Sequence, residues 1–246
     1  MGQTYEALYT TALPTPLYPA CELELSPAWS AEDRRQLRLG QQKMTRMLQA
    51  VDRICRAHQI TYFLTAGSLL GAVLYGGWIP WDGDIDLELL QDDYPTFQLV
   101  AQSELPPDLW FQEPATDPAY RGVILGKVRD LYSYYSGWEN GPWHSGLQVD
   151  LSTFSVEQGI VHSADSMQMT GLIYEDIFPL RELAFDGLIV PVPNRYEAYL
   201  DKKYGHSVQD WRQIPPVEKR FPHEGRIVND VVPEFYLKTY PYLYQR

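Results

Sequence analysis

The stretch Trp81-Asp82-Gly83-Asp84-Ile85-Asp86-Leu87 decides how this chain is read. From Ile85 to Leu89 apolar and acidic residues alternate, which is the period of a half-buried strand. Successive strand side chains point to opposite faces, so Asp84 and Asp86 project side by side, away from Ile85 and Leu87. Neighbouring carboxylates repel, and one of them tends to keep its proton unless a cation holds both. Mg²⁺ meets that need, with Mn²⁺ as the alternative, because it takes one or two carboxylates together with substrate phosphates. A lone acid-x-acid pair is most often a solvated turn; the flanking Ile85 and Leu87 argue instead for a strand with one buried face. Asp150, in Gln148-Val149-Asp150-Leu151, sits on a second expected strand and is a natural third carboxylate if the two strands are neighbours. Glu88 continues the acidic face and reads as a solvated edge acid.

Upstream, Ser30 offers an N-cap, and Leu37, Met44, Leu48, Val51, Cys55 and His58 recur at helical spacing, predicting a helix to about Gln59. Thr61 to Leu64 reads as a strand. Gly67-Ser68 then opens a short helix over Leu69 to Leu74, broken by Gly76-Gly77. A glycine at a helix start lets backbone N–H groups approach a phosphate, and the Ser68 hydroxyl adds a donor. Downstream, Asp92 to Ser103 reads as a helix that tolerates Pro95 near its start. Gly122 to Val128 and Leu147 to Leu151 read as strands, and the aromatic, glycine-rich Tyr132 to His144 reads as a pocket-shaping loop. Asp186-Gly187 between Arg181–Phe185 and Leu188–Val192 is a hairpin signal. Asn194 with Glu197 predicts a capping box for a helix that runs to Tyr204 and stops at Gly205. Residues 1–28 carry four prolines and read as an extended arm or a disordered tail, leaving residues 29–246 as one domain.

The chain has 246 residues and a formal net charge of -12, which argues against a general nucleic-acid binder. An acidic protein still binds a nucleotide when a divalent cation bridges the two sets of charge. Cys21 and Cys55 make neither a disulfide framework nor a zinc site. No run approaches the ~18 apolar residues of a membrane span. Met1 to Leu25 has no secretory pattern, and Glu6 departs from a myristoylation motif. The expectation is a soluble cytoplasmic protein.

The longer pattern resembles the LicD family of the nucleotidyltransferase superfamily. The resemblance rests on Tyr62-Phe63-Leu64, on Gly67-Ser68-Leu69-Leu70-Gly71-Ala72-Val73, and on Gly77 through Asp86. Lys127-Val128-Arg129, Gly146 to Asp150, Phe185-Asp186-Gly187 and Pro193-Asn194-Arg195-Tyr196-Glu197 follow in the family's order. The resemblance implies an α/β fold (α+β in stricter terms), a small mixed sheet flanked by helices. It also implies transfer of a phospho-alcohol, phosphocholine- or ribitol-phosphate-like, from a CDP-activated donor to a glycan hydroxyl, releasing CMP. Asp84, Asp86 and Asp150 would hold the metal and complete the catalytic site. Gly67, Ser68, Trp81, Asp82, Lys127 and Arg129 would bind substrate, the two basic residues gripping a pyrophosphate. Two departures stand out: the family usually has an acid where this chain has Gly83, and a basic residue where it has Leu74.

Other readings stay open. Nucleotidyl transfer from an NTP to a small molecule or sugar would release pyrophosphate. A non-catalytic glycan- or nucleotide-binding module would bind metal without turnover. Trp78, Trp81 and Trp138 serve packing as readily as stacking on a ring. His144 has no partner visible in sequence, and His223, after Lys219 and Arg220, reads either as part of a phosphate pocket or as part of a disordered tail.

Overall fold

The computed structural model describes residues 9–10, 25–163, 171–205 and 210–245. In chain order the elements are β1 (Tyr9–Thr10), α1 (Ala31–Ala57), β2 (Tyr62–Leu64), α2 (Ala66–Tyr75), β3 (Ile85–Leu90), α3 (Tyr94–Glu104), β4 (Leu109–Gln112), β5 (Gly126–Asp130), β6 (Ser133–Tyr135) and β7 (Gln148–Glu157). They continue with β8 (Ile160–Ser163), β9 (Leu172–Ile173), α4 (Tyr174–Ile177), β10 (Leu180–Phe185), β11 (Leu188–Val192), α5 (Tyr196–Tyr204), β12 (Ile227–Asn229) and α6 (Glu234–Thr239). The expected N-terminal arm lies mostly outside the described residues; within it, β1 pairs in parallel with β10.

A seven-stranded mixed sheet carries the site. Its main path is β2-β3-β7-β5-β4, and β8 and β9 extend it from the C-terminal half of β7. Only β3 and β7 run parallel within it. Alternation gives this sheet two unlike faces. One carries Ile85, Leu87, Leu89, Phe111, Val128, Val149 and Leu151, all buried in the main core. Each such side chain contributes about 1.5–3 kcal/mol of burial. Helix α1 packs on β7, with Gly40 close to Leu147. The opposite face presents the charged and amide side chains of the site.

Helix α1 starts where expected: Asp33 N–H donates to Ser30 Oγ at 3.1 Å and Ser30 N–H donates to Asp33 Oδ2 at 3.1 Å. That reciprocal cap is worth about 1 kcal/mol. The helix closes at Ala57, just before Gln59 enters the left-handed region at φ 56°. Helix α2 ends on left-handed Gly76, as expected. At the β10–β11 hairpin Asp186 and Gly187 both have positive φ, 46° and 91°, the two-residue turn that the Asp-Gly pair demands. Its tip docks on α2, with Asp186 N–H donating to Gly76 O at 3.0 Å.

Several boundaries differ from the expectation. β5 begins at Gly126, because Val123 and Leu125 are exposed loop residues and Gly126 lies where a Cβ would meet Phe111 and Tyr94 at 2.8 Å. The Tyr132–His144 loop contains β6, paired with β12 of the C-terminal segment. Asn194 does not cap α5; its side chain donates to Glu175 O and Phe178 O at 3.1 and 3.2 Å, which ties α5 to α4. Among the described residues no helix is long and apolar enough to cross a membrane.

Candidate active site

Register brings the expected acids together. Asp86 on β3 pairs with Asp150 on β7, and Asp150 pairs with Lys127 on β5, so three side chains stand in a row across three strands. Asp84 lies just before β3, two residues from Asp86 and on the same face. One carboxylate oxygen each from Asp84, Asp86 and Asp150 lies within 4.8 Å of the others. A second group of the same span joins Asp82, Asp84 and Glu224. Lys127 Nζ donates to both Asp150 oxygens at 2.6 Å and to Gln148 Oε1 at 3.2 Å. Arg129 is buried and donates to Gln112 Oε1, Gly146 O and Gln148 Oε1 at 2.7, 2.8 and 2.7 Å. Gln148 in turn donates to Asp84 Oδ2 at 3.1 Å, so Arg129 reaches the acids through Gln148.

The helix opening is built around the same acids. A Cβ on Gly67 would fall 2.6 Å from Asp82 Oδ2, so glycine is what lets the Asp82 carboxylate sit against the first turn of α2. Ser68 is buried, and its Oγ accepts from Asp86 N–H at 3.0 Å, which pins the start of β3 to α2. Gln41 of α1 donates to Asp82 O at 3.0 Å, and the Tyr135 hydroxyl donates to Gly83 O at 2.7 Å. These hydrogen bonds hold the 82–84 backbone from two sides.

Two cavities flank the cluster. The larger, about 440 Å³, is lined by Asp82, Asp84 and Asp86 and by the rings of Tyr75, Trp81, Tyr204 and Trp211, with no lysine or arginine among the described residues of its lining. Leu74 lines it too, at the position where a basic residue was expected from the family pattern. The smaller, about 240 Å³, holds Lys127, Arg129 and Gln148 together with Trp138 and Trp143. His223 and Glu224 line both.

Burial and mutual repulsion dominate the electrostatics. Burial first, then Asp150, raises the Asp84 pKa to about 6. Burial, then Asp84, lifts Asp86 and Asp82 well above the usual carboxylate range. Glu224 rises to about 9, from burial and then from Asp84 and Asp82. Lys127 is pulled down by burial against the opposing pull of Asp150. An all-oxygen donor set of crowded carboxylates suits a hard divalent cation.

Other residues resolve differently. Glu88 is fully buried, not a solvated edge acid: Ser163 Oγ and the Tyr199 hydroxyl donate to its Oε1 at 2.6 and 3.1 Å, because α5 covers that end of the strand. His144 is buried and stacked on Tyr236 at 4.0 Å between ring centroids, and burial, then Arg129, drives its pKa well below the ordinary value. Trp78 packs on Phe185 and donates to Thr45 at 3.0 Å. Gln148 and Glu224 were missed by sequence reasoning. Gln148 had a signal, two residues before Asp150 on the same strand face; Glu224 had none, lying in a segment of scattered prolines and charge.

A mixed sheet with acids abreast on two parallel strands, fed by a Gly-Ser helix opening, defines a nucleotidyltransferase-type domain. The chain belongs to the LicD family: residues 59–195 match the family model described as LicD/FKTN/FKRP, nucleotidyltransferase domain. It is similar to the human ribitol 5-phosphate transferase FKRP, at 28% identity over 167 residues, covering 66% of this chain and 31% of that protein. The mouse protein of the same name is 27% identical over 175 residues. The lipopolysaccharide cholinephosphotransferase LicD of Haemophilus influenzae is 32% identical over 84 residues, 34% of this chain and 26% of that protein. The chain thus spans about a third of the length of the first relatives and about a quarter of the bacterial one.

Proposed function

We propose that the chain is a divalent-cation-dependent transferase moving a phospho-alcohol group from a CDP-activated donor to a hydroxyl of a saccharide. The observation that carries this reading is the close group of Asp84, Asp86 and Asp150, of which Asp84 and Asp86 line a cavity large enough for a nucleotide-sized group. The names of the relatives, one transferring ribitol 5-phosphate and one choline phosphate on lipopolysaccharide, support the reaction class. The acceptor oxygen bonds to the phosphorus of the alcohol phosphate, the phosphorus–oxygen bond to CMP breaks, and the hydroxyl proton passes to Asp150. Mg²⁺ held by Asp84, Asp86 and Asp150 would neutralise the phosphate charge. Lys127 aligns Asp150, Gln148 aligns Asp84, and the smaller cavity brings cationic side chains to the diphosphate.

The larger cavity supports a cationic alcohol of the choline type. Its lining combines carboxylates with four aromatic rings, and ring faces attract alkylammonium groups. Trp81 already carries the Arg220 guanidinium 5.8 Å from its ring centre. The test is CMP release from CDP-choline, CDP-ribitol and CDP-glycerol with a saccharide panel, in wild type and Asp150→Asn. CMP release from CDP-choline that is abolished in Asp150→Asn is the expected result. Pyrophosphate release from an NTP instead would transfer the assignment to nucleotidyl transfer.

A further inference from the structure

We infer that Glu224, brought in by the C-terminal segment, is a ligand of the same cation site and occupies the space that a side chain at position 83 would fill. The inference rests on the metal-dependent reading above and adds a residue to it.

Three observations converge on Glu224. One of its carboxylate oxygens lies within 4.8 Å of oxygens of both Asp82 and Asp84, so Asp84 belongs to this group and to the group with Asp86 and Asp150. Its Oε2 is buried with no hydrogen-bond partner among the described residues, and the ion pairs found there do not include it. A buried carboxylate oxygen facing two more carboxylates is costly unless a proton or a cation answers it, and a divalent cation can answer all three at once. Finally, an ideal Cβ on Gly83 would lie 2.4 Å from Glu224 Oε2. A side chain at 83 would therefore push the Glu224 carboxylate from the place it holds.

The placement is built rather than incidental. On one side of Glu224, Arg220 O accepts from Ser26 N–H at 3.0 Å. On the other, Arg226 O accepts from Ser136 N–H at 2.7 Å, and β12 follows, paired with β6. Gly225 takes a φ of 100°, a left-handed turn that swings the chain away immediately after the glutamate. Tyr135 of β6 also donates to Gly83 O, so one strand fixes both the glycine and the segment that delivers the acid. Position 83 is where the family pattern leads one to expect an acid. Here the carboxylate arrives from the far end of the chain.

The experiment is Mn²⁺ binding to the full chain, followed by electron paramagnetic resonance with Mg²⁺ as competitor, beside thermal unfolding of the metal-free proteins. Glu224→Gln should weaken Mn²⁺ binding roughly tenfold or more, with metal-free unfolding no lower than wild type. Glu224→Asp should bind more tightly than Glu224→Gln. Gly83→Asp should be impaired alone, and Gly83→Asp combined with Glu224→Ala should bind Mn²⁺ better than Glu224→Ala does. Wild-type affinity in Glu224→Gln, with binding lost in Asp84→Asn, would overturn the role of Glu224 and leave the metal site intact. Wild-type affinity in Asp84→Asn as well would overturn the metal-dependent reading itself. A Glu224→Gln protein that does not fold would place Glu224 in the structure alone and also overturn the inference.

Discussion

Replacing Lys127 by methionine tests how the acids are held apart before any cation binds. Lys127 Nζ is 2.6 Å from both oxygens of Asp150, and both side chains are nearly buried. In the variant Asp150 keeps, among the described residues, only a long 3.5 Å side-chain hydrogen bond from Gln148, with Asp86 paired beside it on the next strand. Removing one partner of a buried ion pair costs about 3–5 kcal/mol, because the remaining charge loses its compensation. For a chain of this size that is a fall of roughly 6–20 °C in Tm. The assay is urea unfolding in EDTA and again in excess Mg²⁺. A large loss in EDTA should be partly recovered with Mg²⁺, since a bound cation replaces the missing charge and ligand binding stabilises the folded state. A loss below about 1 kcal/mol in EDTA, the scale of an exposed ion pair, would refute the argument that Asp150 depends on Lys127.

Gly67→Ala places a Cβ 2.6 Å from Asp82 Oδ2 and should cost about 1–3 kcal/mol by overpacking, read by thermal unfolding, with weakened Mg²⁺ affinity as Asp82 is displaced. Tyr199→Phe removes one donor to buried Glu88 and should cost about 1–3 kcal/mol in urea unfolding while leaving Mg²⁺ affinity unchanged, since Glu88 belongs to neither carboxylate group. Asp84 has its folded pKa raised to about 6, so in metal-free protein its contribution is fully present below the unfolded pKa of 3.8 and lost as pH rises through about 6. The stabilisation by Mg²⁺, measured as a Tm shift, should therefore grow from pH 5 to pH 7.5; a shift independent of pH would contradict proton–metal competition at the acids.

The parts of this molecule that were legible in sequence are those set by local rules. The alternation through Ile85–Leu89 and Val149–Leu151 gave the faces of β3 and β7, and with them the direction of Asp84, Asp86 and Asp150. Ser30, Gly76, and Asp186-Gly187 marked ends and turns because each needs a particular cap or a positive φ. What escaped is decided by distant chain. Glu88 reads as exposed until α5 covers it, and His144 reads as a candidate until Tyr236 and Tyr240 wall it in. Gly83 looks like a missing acid until the segment around Glu224 is folded over it. Strand β6 was hidden in an aromatic loop because its partner, β12, lies about ninety residues away.

The most direct test of the central claim is calorimetric titration of CDP into wild type and Asp84→Asn, with and without Mg²⁺. Binding should require Mg²⁺ and be lost in the variant. CDP binding of equal strength without the metal, or unchanged in Asp84→Asn, would contradict it.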